Sequence, residues 1–364
     1  MRIIRDMTLG GFAVGPEHPP LFFAEIGSFF NGRPEPAREL IRRIIECRDA
    51  VPEQPVVLKT EILDDAEICL PGDTMETYAS KAGGVKQENY RELIERKVMK
   101  TEDYIPLFKM CRDAKIPFVV SVYDVKAAKF AQEHGAAGLK IASSNLTHVP
   151  LIRYTAGLGL PMVIDTGRAS IAEVHRAIDT ARKGGCLDII VQHSPEGHPA
   201  PAKSHNLRIM QTYAATFGLP VGLSDHYTGD EMLYVSIALG ASVLEKGIYF
   251  DPDELDQDIA HSMGIDDLTR VLRMVHDSFI ALGRAERDPQ LKIDWVIGTS
   301  QRQCLVANRD LQPGDAINLD TVRFAFPMKG IPVEHWDLVS TWSLKAAVKA
   351  GQPIRWEQVG PAVV

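Results

Sequence analysis

The chain is poor in cysteine: five in 364 residues (Cys47, Cys69, Cys111, Cys186 and Cys304), with no two in a CxxC pair. That pattern offers no zinc ribbon and no dithiol motif, and it reads as buried, reduced thiols in a cytosolic protein. No apolar run reaches the ~18–20 residues needed to span a bilayer. The opening MRIIRDMTLGGFAVG lacks the apolar centre of a signal peptide. The expectation is a protein of the cytoplasm with no membrane partner. Positive charge is also short, with 40 Lys and Arg against 48 Asp and Glu, a net charge of −8. This argues against a broad basic footprint for nucleic acid but leaves room for a local basic pocket. Hydrophobic residues make up 45% of the chain, enough for a sizeable core that needs no disulfide or metal to hold it.

Short runs rich in Val, Ile and Phe alternate with longer helix-like stretches. The pattern predicts eight strands, at Leu21–Ile26, Val56–Glu61, Pro117–Tyr123, Gly138–Ala142, Met162–Asp165, Asp188–His193, Val221–Ser224 and Val243–Ile248. Several are apolar on both faces, as buried parallel strands are. Eight strand–helix units over ~250 residues suit a (β/α)8 barrel, with a doubly wound open sheet as the second choice. Glu25, Lys59, Ser121, Lys140, Asp165, His193, Asp225 and Glu245 all fall at or just after a strand's C-terminal end. Barrel active sites lie on that face.

After the last helical stretch the pattern changes. Residues 286–300 read as a linker between a barrel over 1–285 and a smaller domain over 301–364. Within the latter, NRDLQPGDAINLDTV (308–322) and LKAAVKAGQPIRWEQV (344–359) are alike. Each has a short strand, a turn containing Gly314 or Gly351, and a mixed stretch, as in a small β-rich domain.

Several motifs in order then resemble the N-acetylneuraminate (sialic acid) synthase family. They are AEIGS (24–28), GLKIASSNLTHVPLI (138–152), TGRASIAEVHRAI (166–178), VQHSPEGHPAPAKSHNLR (191–208), GLSDHYTGDE (222–231) and ALGASVLEKG (238–247). CLVANRDLQPGDAI (304–317) resembles the start of the antifreeze-like SAF domain that follows the barrel in that family. The resemblance implies a barrel enzyme that condenses phosphoenolpyruvate (PEP) with an aldose-type sugar, giving a 2-keto-3-deoxy sugar acid. A divalent metal, Mn or Mg, polarises the aldehyde. The resemblance also implies a homodimer in which each SAF domain covers the partner's barrel mouth.

Carried over residue by residue, the resemblance makes Glu25, Lys59, Lys140, Glu245 and Asp258 catalytic. Ser121, Tyr123, Ser143, Asn145, Asp165, Glu196, Ser224 and Asp225 become substrate-binding. His226 matches a metal-binding histidine, and His193, at a strand end, is a second candidate. Plainer roles compete with these: rim charges for the lysines, a structural salt bridge for Glu25, packing for Tyr123. Phe326, Trp336 and Trp342 suit either a dimer interface or the interior of the small domain.

The departures from the pattern cluster at the site. Gly247 stands where the family has its second metal-binding histidine, so His226 needs help from His193, His261 or a carboxylate. Phe29 and Phe30 replace an Asn and a His, Glu61 a Gln, and Phe326 the arginine of the SAF loop. Asn145 stands in place of an acid. Asp165 and Glu196 replace neutral donors near a phosphate; one like-charge contact at ~4 Å and a dielectric near 20 costs about 4 kcal/mol. Three functions stay open. The first is PEP-dependent condensation. The second is an aldolase or lyase acting on 2-keto sugar acids without PEP. The third is a non-catalytic relative that binds sugar or assembles a partner.

Overall fold

The computed structural model describes residues 7–285 and 301–362; the expected linker, 286–300, lies outside them. The chain divides into two compact units, Met1–Gly283 and Arg284–Val364.

The first unit is built on eight parallel strands. They are β1 (Leu21–Gly27), β2 (Val56–Glu61), β3 (Phe118–Ser121), β4 (Gly138–Ile141), β5 (Met162–Asp165), β6 (Ile189–His193), β7 (Val221–Asp225) and β8 (Val243–Tyr249). Each pairs with the next, and β8 pairs with β1, so the sheet closes on itself. Closure removes the sheet edges and settles the choice between barrel and open sheet in favour of the barrel.

Strand alternation sorts the side chains. One parity packs against the surrounding helices: Phe22, Ala24 and Ile26 of β1 and Val56 and Leu58 of β2 belong to the large core shared with them. The other parity points inward. Low in the barrel, Phe23, Val57, Val119, Val163, Ile190 and Val243 form an apolar layer. An N-terminal hairpin (Met7–Leu9 with Phe12–Val14) adds Met7, Leu9 and Val14 to the same cluster and closes that end. Two residues further along each strand the inward positions turn polar, and the site is built there. A second hairpin, Met75–Ala79 with Val85–Asn89, is inserted after β2.

Local signals explain several elements. The helix Ile171–Lys183 opens on a capping box, in which the Ser170 side chain accepts from the Glu173 backbone and the Glu173 carboxylate accepts from Ser170. Among the described residues, no helix is long and apolar enough to cross a membrane. All five cysteines are buried.

The second unit is β-rich. Cys304–Ala307 pairs with Val322–Ala325, and Trp342–Leu344 with Val359–Pro361, both antiparallel. Leu305, Leu311, Ile317, Ile331, Leu344 and Ile354 centre its core. Trp336 and Trp342 pack against that core, and Trp336 meets Phe324 edge to face at 5.4 Å. Of the three aromatics offered as interface anchors, Phe326 alone is well exposed, at 59%.

Candidate active site

The inward positions at the C-terminal ends of the strands form a ring of eight polar side chains. In order these are Glu25, Lys59, Ser121, Lys140, Asp165, Gln192, Ser224 and Glu245. All but Glu25 are at most 4% exposed. Charges this deep survive only when paired. Lys59 pairs with Glu25 and stands 3.6 Å from Glu245. Lys140 bridges Asp165 at 2.9 Å and Glu245 at 2.6 Å. Ser224 donates to Glu245 at 3.4 Å, and Gln192 donates to its other oxygen at 3.2 Å.

The two central carboxyls are driven apart. For Glu245, burial pushes the pKa up, but the two lysine charges outweigh it and hold it at about 2. For Glu25, burial dominates over the attraction of Lys59, and the repulsion of Glu245 adds to it, so its pKa is pushed up to about 8. Near neutral pH Glu245 is an anion that keeps both lysines charged, while Glu25 holds a proton. With Glu25 neutral, two lysines balance Asp165 and Glu245. Buried Ser121 Oγ, Asp165 Oδ1 and Gln192 Oε1 have no hydrogen-bond partner within the protein, which is what a pocket lined for a polar ligand presents.

A second cluster stands on the loops after β6, β7 and β8. His198, His226 and His261 each bring a ring nitrogen to within 4.8 Å of the others. The buried Nδ1 atoms of His226 and His261 have no hydrogen-bond partner. Burial first, then neighbouring histidine charge, holds the His226 pKa well below its usual value, and burial takes His261 down to about 3. Both rings are therefore neutral, as a metal ligand must be. His198 Nδ1 is 3.0 Å from the Asp258 carboxylate. Asp258 sits in a network with Asp256, whose carboxylate accepts from the Asp258 N–H at 2.8 Å and pairs with Lys97 at 2.7 Å. The donor set fits a divalent ion.

Gly247 links the two clusters. It faces Glu25 across the β8–β1 pairing. A Cβ built there stands 2.9 Å from Ser262 Cβ, closer still to Ser262 Oγ, and 3.2 Å from Phe29 Cζ. The space that a side chain would occupy is filled by the residue following His261.

The remaining sequence-based candidates divide. Tyr123 donates to Glu61 at 2.8 Å, and Asn145 ties its loop to the Val122 carbonyl at 3.4 Å. Ser143 lies against the Gly167 turn after β5, where a Cβ would meet its own at closer than contact distance. Three residues stand apart from the ring. Asp225 has the outward parity and is bound by Lys246 at 2.8 Å, by His205 at 3.3 Å and by the Tyr227 N–H at 3.0 Å; it is a brace behind the strand. His193 is also outward, its Nε2 2.6 Å from the His205 carbonyl, and it is not among the three clustered histidines. Glu196 is on an exposed loop with Arg168 at 3.6 Å. The crowding of acids expected at a phosphate site does not arise, since Asp165 is neutralised by Lys140 and Glu196 faces solvent. The sequence reading did not single out Gln192 or His198. Strand alternation from Ile190 points to the first. The signal for the second is a histidine after each of three consecutive strands.

The comparisons with known proteins agree with this architecture. Residues 57–287 match the NeuB family and residues 302–360 the SAF domain. An uncharacterised protein of Methanocaldococcus jannaschii is 26% identical, covering 98% of this chain and 99% of its own. The N,N'-diacetyllegionaminic acid synthase of Legionella pneumophila is 28% identical, covering 92% of this chain and 93% of its own. The crystal structure of an N-acetylneuraminic acid (sialic acid) synthetase from Leptospira borgpetersenii superposes with a TM-score of 0.68 at 23% identity, over 79% of this chain and 93% of that one. A closed parallel barrel, an appended SAF domain and a family match over more than half of its length make this chain a member of the NeuB family.

Proposed function

We propose that this protein joins PEP to the aldehyde carbon of an aldose-type sugar, releasing inorganic phosphate and a 2-keto-3-deoxy sugar acid. The observation that carries this is the inward ring, where two buried lysines and a proton-holding Glu25 share one barrel mouth with three clustered histidines. His198, His226 and His261 would hold a divalent ion, which would supply Lewis-acid polarisation of a carbonyl oxygen.

The reaction needs anion binding, proton delivery and exclusion of bulk water. Lys59 and Lys140 offer fixed positive charge to a carboxylate or phosphate. Glu245 keeps them charged and aimed, and at a pKa of about 2 it moves no proton itself. As PEP C3 bonds to the aldehyde carbon, the aldehyde oxygen becomes a hydroxyl and takes one proton. Glu25, protonated up to about pH 8, is placed to give it. Water then adds at PEP C2, returning one proton to Glu25, and the C2–O bond to phosphate breaks to leave the 2-keto group, the second water proton departing with the phosphate. Ser121, Ser224 and Gln192 provide neutral polar contacts in the same ring.

The test is phosphate release from PEP in the presence of N-acyl amino sugars, with E25Q as the control. Expected is sugar-dependent release that falls by 10²–10⁴-fold in E25Q. No release with any aldose, together with retro-aldol cleavage of 2-keto sugar acids, would transfer the assignment to the lyase reading. We further propose a homodimer, as the family resemblance implies; a monomer by light scattering would contradict it.

A further inference from the structure

We infer that this chain holds its metal on three imidazoles, His198, His226 and His261, and that this all-nitrogen site takes a zinc-class ion in preference to Mg or Mn. The inference deepens the reading of the mouth as a synthase site.

Four observations carry it. The end of β8 supplies no ligand, because residue 247 is glycine and its side-chain space is held by Ser262 and Phe29. His261 precedes Ser262, and its ring lies 4.7 Å from that of His226, centroid to centroid. His198 closes the set, its ring 4.3 Å from His226 and 5.3 Å from His261. Its Nδ1 is committed to Asp258 at 3.0 Å, which leaves Nε2 as the ligand and fixes the ring, the usual arrangement behind a metal-binding histidine.

The His261 segment is also held in place. The Ser262 hydroxyl donates to the Asp258 carbonyl at 2.7 Å. Lys81, from the hairpin inserted after β2, donates to the Ser262 carbonyl at 2.6 Å and the Ala260 carbonyl at 3.3 Å. A preformed site of this kind binds without first ordering its ligands.

Chemistry then decides the ion. Imidazole nitrogen suits zinc and the later first-row ions, whereas Mg and Mn favour carboxylate, carbonyl and water oxygen. Three protein ligands with a position left open is the usual form of a catalytic zinc site. Asp258 is the carboxylate closest in role, and it is engaged with His198 rather than among the clustered ligand atoms.

The experiment uses the full chain stripped with a chelator and reloaded with Zn, Co, Mn or Mg alone, without substrates. Stoichiometry is read by elemental analysis, affinity by competition with a chromophoric chelator, and coordination by the visible spectrum of the Co protein. Expected is one Zn per chain, bound at least about a thousand-fold more tightly than Mn, with Mg failing to compete. Co should give the intense visible bands of a four- or five-coordinate nitrogen site. H198A, H226A and H261A should each weaken Zn binding by about 100-fold or more, and D258N by about 10–100-fold. Mn binding as tightly as Zn, a weak six-coordinate Co spectrum, or full Zn affinity in H198A and H261A would each overturn the inference. The Co spectrum of the unaltered chain keeps the test decisive if a variant fails to fold. A failure of phosphate release leaves these readouts untouched, so the two readings stand or fall separately.

Discussion

Replacing Gly247 with alanine gives a sharp test of how Ser262 packs beside the end of β8. The added Cβ would stand 2.9 Å from Ser262 Cβ and 3.2 Å from Phe29 Cζ, against about 3.5–4.0 Å for relaxed carbon contacts. The overlap with Ser262 Cβ is therefore about 0.6–1.1 Å, with Ser262 Oγ closer still, in a place where β8 is fixed on both sides by pairing. Overpacking of this kind costs about 1–3 kcal/mol. The Gly247 backbone adds no strain of its own, as its φ lies outside the left-handed region. Ser262→Gly removes the clash but also the 2.7 Å hydrogen bond to the Asp258 carbonyl, at about 0.5–1.5 kcal/mol. The assay is denaturant unfolding of G247A, S262G and the double variant. The expected result is a strongly non-additive cycle in which G247A/S262G is about as stable as S262G alone. Additive costs, or a G247A protein as stable as the parent, would refute the claim that Ser262 fills the space beside Gly247.

Three further outcomes follow, two from the charge ring and one from the brace behind β7. Glu25 keeps its proton to about pH 8 in the fold but would lose it near 4.5 when unfolded. Unfolding in that window releases a proton, so stability falls as pH rises from about 4.5 to 8, by up to about 1.4 kcal/mol per unit. E25Q should flatten that slope in urea titrations against pH; an unchanged slope would assign it elsewhere. Glu245 is the reverse case: its folded pKa of about 2 lies below the unfolded value. Its contribution is present above about pH 4.5 and lost as pH falls toward 2. E245Q removes the carboxylate that Lys140 and Lys59 share, and should cost about 3–5 kcal/mol by thermal or urea unfolding. Asp225, which braces Lys246 and His205 behind β7, should behave as a structural residue: D225N should lower stability with little change in the KM for PEP, and a KM effect without a stability effect would return Asp225 to the binding site.

Much of the barrel was legible in the chain because its signal is local. Eight apolar runs ending in polar residues set the strands within a residue or two, and the same ends supplied Glu25, Lys59, Lys140, Asp165, Ser224 and Glu245. Alternation was the part left unused. His193 and Asp225 lie at strand ends like the others, but one step out of phase with Gln192 and Ser224, so they face the helices. The histidine cluster was harder to read. His198, His226 and His261 are separated by 28 and 35 residues in sequence, and only closure of the barrel brings the loops after β6, β7 and β8 together. The vacancy at Gly247 was visible as a missing side chain, but that Ser262 fills it is a tertiary fact. Glu196 misled for a related reason. Its motif position suggested a phosphate contact, while the loop turns its carboxylate to solvent and Arg168. In the small domain, composition alone left Trp336 and Trp342 between surface and core, and packing around Leu344 and Val339 places them against the core.

The central claim is that the ring around Lys59, Lys140 and Glu25 makes a carbon–carbon bond from PEP. The most direct measurement follows PEP labelled with ¹³C at C3, incubated with the protein, a divalent ion and a panel of N-acyl amino sugars, by mass spectrometry and carbon NMR. Expected are one equivalent of phosphate and a 2-keto-3-deoxy acid carrying the label at its C3 methylene. Label recovered only in unreacted PEP or in pyruvate, with every sugar tried, would contradict it.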